Sequence, residues 1–137
     1  MKRWALLGLV ATIACGREER PAAVAPAPEA PSAAAPEGRL PDDFPGDVPV
    51  YDDARPLSSM ASAEQGTVVN LRSADPADAI FAWYRKRYPQ QGWTIEYASE
   101  TRARSTLVAR KGNRVSSVVI QPVPGSTQVL LLVAEDR

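Results

Sequence analysis

The chain has 137 residues, with 16 basic and 16 acidic side chains, 13 prolines, one cysteine and no histidine. This length suits one ordinary domain or a small domain with a tail, and the zero net charge argues against the basic surface that nucleic-acid binding requires. One cysteine excludes an intramolecular disulfide and cysteine-based zinc sites, and the missing histidine excludes every catalytic triad that needs it.

The first 14 residues have the pattern of a secretory signal peptide. Lys2 and Arg3 supply a positive start, and residues 4–14 form an uncharged, mostly apolar run. This run is too short to cross about 30 Å of hydrocarbon as a helix, which takes about 20 residues. The lone cysteine, Cys15, lies where such a peptide would be cleaved. An ordinary signal peptide with an incidental cysteine is the alternative interpretation.

The segment that ends at Cys15 resembles the lipobox of bacterial lipoproteins. Ile13, Ala14 and Cys15 match its pattern, and Thr12 stands where leucine is commonest. The resemblance implies that Cys15 becomes the first residue after cleavage and carries palmitate-type acyl chains that bind a lipid bilayer. Two or more such chains give a stable anchor. Because Gly16 is not the aspartate that often retains lipoproteins in the inner membrane, the resemblance implies the outer membrane in a Gram-negative cell.

Residues 15–39 are predicted to be the lipidated N-terminus and a disordered tether. Residues 21–36 contain five prolines and eight alanines. Proline fixes the backbone and removes hydrogen-bond donors, and alanine has little surface to bury, so we expect a partly extended spacer. A proline-rich docking ligand is the alternative, but no basic anchor flanks a PxxP pair in this segment.

Residues 40–137 are predicted to form a single domain that begins with a strap. Prolines recur at every fourth position from residue 41 to residue 49, and Phe44, Val48 and Tyr51 are interspersed among and after them. Because proline interrupts regular hydrogen bonding, this pattern predicts an extended segment outside the sheet. We expect the three apolar side chains to pin the strap onto the domain.

One helix is predicted after this strap and two strands. Asp75 is expected to cap its N-terminus and Pro76 to occupy the first helical position, with Pro89 and Gly92 at its end. Apolar residues recur at helical spacing and predict a face that packs on a sheet. That stripe consists of Ile80, Trp83, Tyr84 and Tyr88.

Six strands complete the predicted order ββαββββ. The strands are predicted over residues 57–62, 67–72, 93–97, 105–110, 115–121 and 127–134. Alternation places Trp93, Ile95 and Tyr97 on one face of the third strand. Residues 129–133 are apolar at every position, which predicts a strand with little exposure on either face. These elements predict a two-layer α+β fold, an antiparallel sheet with one helix on one face.

This domain resembles a group of uncharacterised bacterial lipoproteins with a small α+β domain. The match extends over most of the domain, but its motifs are those of packing and turns, so the resemblance implies no activity. The matching positions are Pro41, Phe44, Pro45, Val48, Pro49, Tyr51, Tyr84, Gly92 and Trp93.

No metal, cofactor or enzymatic activity is predicted. The acidic residues of the strap are spaced irregularly and interrupted by prolines, unlike a calcium loop with ligands at alternating positions. The sequence contains neither a Ser-x-x-Lys nor a Gly-x-Ser-x-Gly pattern, and it has no glycine-rich phosphate loop.

Basic residues near the end of the predicted helix form a possible anion-binding patch. Arg85, Lys86 and Arg87 are consecutive, and further basic residues lie at the predicted strand ends. Acidic residues are interleaved with them, so a surface of mixed charge is the alternative.

Two functional hypotheses follow. The first is a non-catalytic interaction module of the cell envelope, which docks another envelope protein through an exposed sheet face or edge. The second is a small-ligand domain, which binds a lipid or a glycan in an apolar pocket between helix and sheet. Trp83, Trp93 and Tyr97 are expected to line that pocket.

Overall fold

The protein folds around an antiparallel, open sheet with one helix packed on it, as a computed structural model of residues 33–35 and 38–136 shows. The sheet order is β1-β2-β3-β7-β6-β5-β4, so six long strands carry the short strand β1 at one edge. The elements are β1 (Ala33–Ala35), β2 (Arg55–Ser62), β3 (Gly66–Ser73), α1 (Ala77–Gln90), β4 (Thr94–Glu100), β5 (Ser105–Lys111), β6 (Arg114–Val123) and β7 (Ser126–Glu135).

The six long strands and the helix confirm the predicted α+β class and the order ββαββββ. Strand β1 is an addition, because it lies within the predicted tether and pairs with residues 59–61 of β2. The predicted signal peptide, Cys15 and most of the predicted tether lie outside the described residues.

The sheet has two faces of different character. The inner face is covered and supplies most of the core, because alternate residues of four adjacent strands point to it. Its fully buried apolar residues are Val69, Leu71, Leu107, Ala109, Val118, Ile120, Val129 and Leu131. The intervening residues form the outer face, where Val68, Leu132 and Val108 are half-buried. Helix α1 contacts β4, β5 and β6.

The strap, residues 40–51, also covers the core. Val48 is buried, and Phe44 and Tyr51 pack against the core cluster, which confirms the predicted pinning residues. No strand includes residues 38–54. The strap therefore lies outside the sheet and makes the predicted contacts, but the prediction that it is extended is wrong. The amides of Phe44 and Val48 donate to the carbonyl oxygens of Pro41 and Pro45 at 3.1 Å each, so the strap is a series of turns. The physical reason is that Asp and Gly, which lie between these prolines, favour turns.

The start of α1 differs from the prediction. The helix begins at Ala77, Pro76 occupies the capping position, and no side chain caps the terminus. The Asp75 carboxylate instead accepts a hydrogen bond from the Tyr51 hydroxyl at 2.7 Å, so it ties the strap to the helix entry. Asp75 lies one residue too early to act as the cap.

The end of α1 is a glycine-dependent turn. The Trp93 amide donates to the Tyr88 carbonyl oxygen at 3.0 Å, and the Gly92 amide donates to the Pro89 carbonyl oxygen at 3.1 Å. This pair of bonds is the Schellman arrangement, which needs the positive φ of 81° that Gly92 adopts. It turns Trp93 back under the helix, where its ring meets that of Tyr88.

Candidate functional site

The outer face of the sheet carries the large hydrophobic side chains that are most exposed in the described residues. Met60, Tyr97 and Leu130 are 57%, 55% and 37% exposed, and all three lie on this face. The prediction that residues 129–133 have little exposure on either face is therefore wrong for Leu130. The physical reason is that the helix and the strap cover the inner face only.

A nearly continuous apolar row crosses the outer face. Directly paired residues of adjacent strands share a face, so the strand register defines the row, and six strands at a spacing of about 4.8 Å give it a length of about 24 Å. Only one member is polar. The row consists of Met60, Val68, Leu132, Ser117, Val108 and Tyr97.

The two ends of the outer face differ in charge. Arg55 and Arg72 are paired directly opposite each other at one end, are exposed, and form no ion pair within residues 38–136. At the other end, the Arg110 guanidinium donates to the Glu96 carboxylate at 2.8 Å and to the Asp136 carboxylate at 2.7 Å. The apolar row therefore has an unpaired basic margin on one side only.

Between helix and sheet, an aromatic chain fills the space where a pocket was predicted. Successive ring centroids are 5.2, 5.0, 5.9 and 5.8 Å apart, mostly edge to face. Burial raises the pKa of the Tyr84 and Tyr88 hydroxyls, and the hydrogen bond to Asp75 raises the pKa of Tyr51 to about 12. The chain consists of Tyr51, Trp83, Tyr84, Tyr88 and Trp93.

The three residues predicted to line that pocket are not brought together. Trp83 and Trp93 belong to the aromatic chain, and Trp93 is only 2% exposed. Tyr97 lies on the opposite, outer face, because a bulge shifts the register of β4 between Ile95 and Tyr97. One extra residue in a strand reverses the side on which every later residue lies, so the simple alternation failed here.

The three residues of the predicted anion patch do not all lie on one side of α1. Arg85, Lys86 and Arg87 are exposed on α1, where successive residues are rotated by about 100° and therefore point in different directions. The Arg85 guanidinium lies 5.9 Å from the Phe81 ring centroid, and that of Arg87 lies 5.6 Å from the Trp83 ring centroid.

Asp47 joins the strap to the β5–β6 hairpin by ion pairs with two basic residues of that hairpin. Its carboxylate accepts hydrogen bonds from Lys111 Nζ at 2.8 Å and from the Arg114 guanidinium at 2.9 Å. The hydrogen bonds from Arg114 are the main cause that holds the pKa of the Asp47 carboxyl well below its usual range. Desolvation opposes this shift, and the hydrogen bond from Lys111 adds to it. The Asp47 carbonyl oxygen also accepts from Trp93 Nε1 at 2.8 Å, so this cluster has a structural role.

Two open clefts lie elsewhere. The smaller, about 230 Å³, lies between the strap and the ends of β3 and β7. The larger, about 470 Å³ and here called the α1 cleft, lies at the start of the helix beside the β4–β5 hairpin. Its lining includes Ala77, Asp78, Glu100, Arg102, Ser105 and Pro122. Sequence reasoning missed it, because these residues come from three separate segments without a shared motif.

Two further observations concern ligands and membranes. Within residues 38–136, no three Asp, Glu, His or Cys side chains are grouped closely enough to hold a metal ion. The one helix among the described residues is not long and apolar enough to cross a bilayer.

Comparison with known proteins gives one match. The model of a family described as START domain-like matches residues 53–133, which include α1 and all six long strands except the last two residues of β7. No curated protein and no solved structure matches the chain significantly.

Proposed function

We propose that this chain, which belongs to the START domain-like family, is a lipid-anchored, non-catalytic binding domain of the cell envelope. In this proposal the outer face of its sheet docks another envelope protein. The observation that carries it is the location of Met60, Tyr97 and Leu130 on that one face, because they are the exposed large hydrophobic residues of the part of the chain that the structure describes. Exposed apolar patches of this kind mark interaction sites.

The charge of the outer face defines the expected partner. Arg55 and Arg72 lie beside the apolar row without an ion pair in the described part of the chain. A partner with an apolar centre and an acidic margin would bury the row and neutralise the two guanidinium groups. Such complementarity favours one orientation and suppresses wrong partners.

The absence of catalysis is proposed from the sequence. The chain has no histidine, and its one cysteine precedes the domain. The acidic and basic groups nearest the core are used in structure, as in the contacts of Asp47 with Lys111 and Arg114.

Photo-crosslinking in intact cells tests the docking face. We expect a photoreactive residue at Met60 or Leu130 to give one adduct of defined mass that contains a second envelope protein. The same residue at Lys86, an exposed position on α1, is the matched control and should give no such adduct. Arg72→Glu should weaken the Met60 adduct by about tenfold, which corresponds to the loss of about 1.4 kcal/mol of complementarity.

Two outcomes would contradict docking of a different protein. An adduct with the mass of two copies of this chain would identify the outer face as a self-association surface. Equal adducts from positions 60 and 86 would mean that contact is nonspecific.

The anchor is proposed at Cys15 and rests on the lipobox-like segment that precedes it. Metabolic labelling with palmitate is expected to label the wild-type chain and to be lost in Cys15→Ala, with the domain moving from the membrane to the soluble fraction. Persistence of the label in the variant would rule out Cys15 as the site. Membrane fractionation of Gram-negative cells should place the wild-type chain in the outer membrane.

Small-ligand binding is the second candidate function. Membership of the START domain-like family and the α1 cleft of about 470 Å³ favour it, since small-molecule sites commonly have volumes of about 300–1,000 Å³. The aromatic chain fills the space between helix and sheet, so we locate the binding site outside that interface.

A further inference from the structure

We propose that the α1 cleft binds a small zwitterion. Its anionic group would lie against the first amides of α1, the Ser105 hydroxyl and Arg102, and its ammonium group against Asp78 and Glu100. This inference rests on ligand binding, the second function proposed above, and gives it a location and a chemical class.

The start of α1 has backbone amides that are free to bind a ligand. Of the first-turn amides, that of Ala79 donates to the Asp78 carboxylate at 2.9 Å, whereas those of Ala77 and Asp78 have no acceptor in the described structure. Pro76 has no amide hydrogen, and no side chain caps this 14-residue helix. Both free amides belong to residues that line the cleft, where helix polarity favours negative charge.

Ser105 supplies an independent observation. It is 2% exposed and lines the cleft, yet its hydroxyl has no hydrogen-bond partner among the described residues. The buried hydroxyls of Ser73, Ser116 and Thr127 all have partners within the protein. Ser59 is also unpartnered, but it does not line the cleft. Among the fully buried side-chain polar atoms of the described residues, only Ser59 Oγ lacks a partner, so the Ser105 hydroxyl keeps access to the cleft, where a ligand could form its hydrogen bond.

The charges of the lining decide the class of ligand. Arg102 is exposed and has no ion pair within residues 38–136, so its guanidinium is available to an anionic group. Asp78 and Glu100 line the same cleft and would repel a simple anion. A simple cation would instead face Arg102 and the positive end of α1. A molecule that carries both charges satisfies the two sets of groups together.

The zwitterion has two possible sources with the same chemistry. It can be a free small molecule or the head group of a bilayer lipid, and the open cleft of about 470 Å³ accommodates either. Phosphoethanolamine serves as the probe for the free molecule, and vesicles that contain phosphatidylethanolamine serve for the lipid. The vesicle measurement uses the full chain with Cys15→Ala, so that the proposed acyl anchor does not contribute.

Titration of the purified full chain tests the proposal. We expect phosphoethanolamine to bind about tenfold or more tightly than either inorganic phosphate or ethanolamine, and to shift the amide resonances of Ala77 and Asp78. Arg102→Gln and Ser105→Ala should each weaken binding by about tenfold, as expected for the loss of a charge-assisted or buried hydrogen bond. Arg104→Gln is the matched control, since Arg104 is exposed in the same loop but does not line the cleft.

Each other result overturns a distinct part of the inference. Binding that neither Arg102→Gln nor Ser105→Ala weakens would move the site elsewhere and leave ligand binding intact. If inorganic phosphate binds as tightly as phosphoethanolamine, the ammonium group contributes nothing, and the proposal that the ligand is a zwitterion would be wrong. If neither phosphoethanolamine nor the vesicles bind, the inference is wrong. If no member of a wider panel of lipids and glycans changes the tryptophan fluorescence, the proposal of ligand binding itself is wrong.

Discussion

Replacing Trp93 with alanine is expected to lower the free energy of unfolding by about 3–5 kcal/mol, the usual cost of removing a buried aromatic side chain. Trp93 is 2% exposed and donates from Nε1 to the Asp47 carbonyl oxygen. Its ring also lies 5.8 Å from that of Tyr88 and 5.3 Å from the Arg114 guanidinium. The substitution therefore removes core volume and the contacts that join the strap, the helix and the β5–β6 hairpin.

Tyr97→Ala is the matched control for Trp93→Ala. Simple alternation places both residues on one face, whereas the bulge in β4 leaves Tyr97 on the exposed outer face. We expect its effect to stay within about 0.5 kcal/mol. Denaturant unfolding of both full-chain variants, followed by circular dichroism, measures the difference. Similar losses at the two positions would contradict the bulge and the separation of the two faces.

Replacing Gly66 with alanine is expected to cost about 3 kcal/mol or more, because two unfavourable effects add. Gly66 begins β3 with φ of 82°, which is unfavourable for a residue with a side chain. A Cβ atom there would also lie 2.1 Å from the Val133 carbonyl oxygen and 2.8 Å from Ala134 Cα. These are backbone atoms of β7, so relief requires the β3–β7 pairing to move.

Gly125→Ala separates the two causes. Gly125 has a similar φ of 75°, but a Cβ atom there meets nothing within 4 Å. We expect a loss of only about 1–2 kcal/mol, the cost of the backbone conformation alone. Thermal and denaturant unfolding of the two variants should therefore differ. Equal losses in the free energy of unfolding would show that the close approach of β3 to β7 does not contribute to the cost of Gly66→Ala.

The order of elements was predictable because its determinants are local. Lys111 and Arg114 pair across the two-residue turn Gly112-Asn113, a residue pair typical of hairpins, which separates the strands predicted over residues 105–110 and 115–121. The proline spacing of the strap and the helical recurrence of aromatic residues are likewise patterns within short segments. The stripe on α1 was predicted almost completely, except that Phe81 is buried and Trp83 is half-buried.

The candidate sites were less predictable because they depend on neighbours distant in the chain. Nothing in residues 129–133 indicates which apolar side chains face the helix and strap and which form the outer face. The α1 cleft joins Ala77 to Ser105 and Pro122 through tertiary packing. The partnering of Asp75 with Tyr51 and of Asp47 with Arg114 likewise required the strap to be in place.

The sequence by itself determined the α+β class and the order of strands and helix, because periodicity, turn residues and composition act over a few neighbouring residues. The lipid anchor at Cys15 stays a prediction from the sequence. Only the tertiary structure decided which sheet face is covered, where Tyr97 points after the bulge and which polar groups meet at the start of α1. The physical reason is that burial and hydrogen bonding depend on which distant segments pack together, and one extra residue in a strand reverses the side of all that follow.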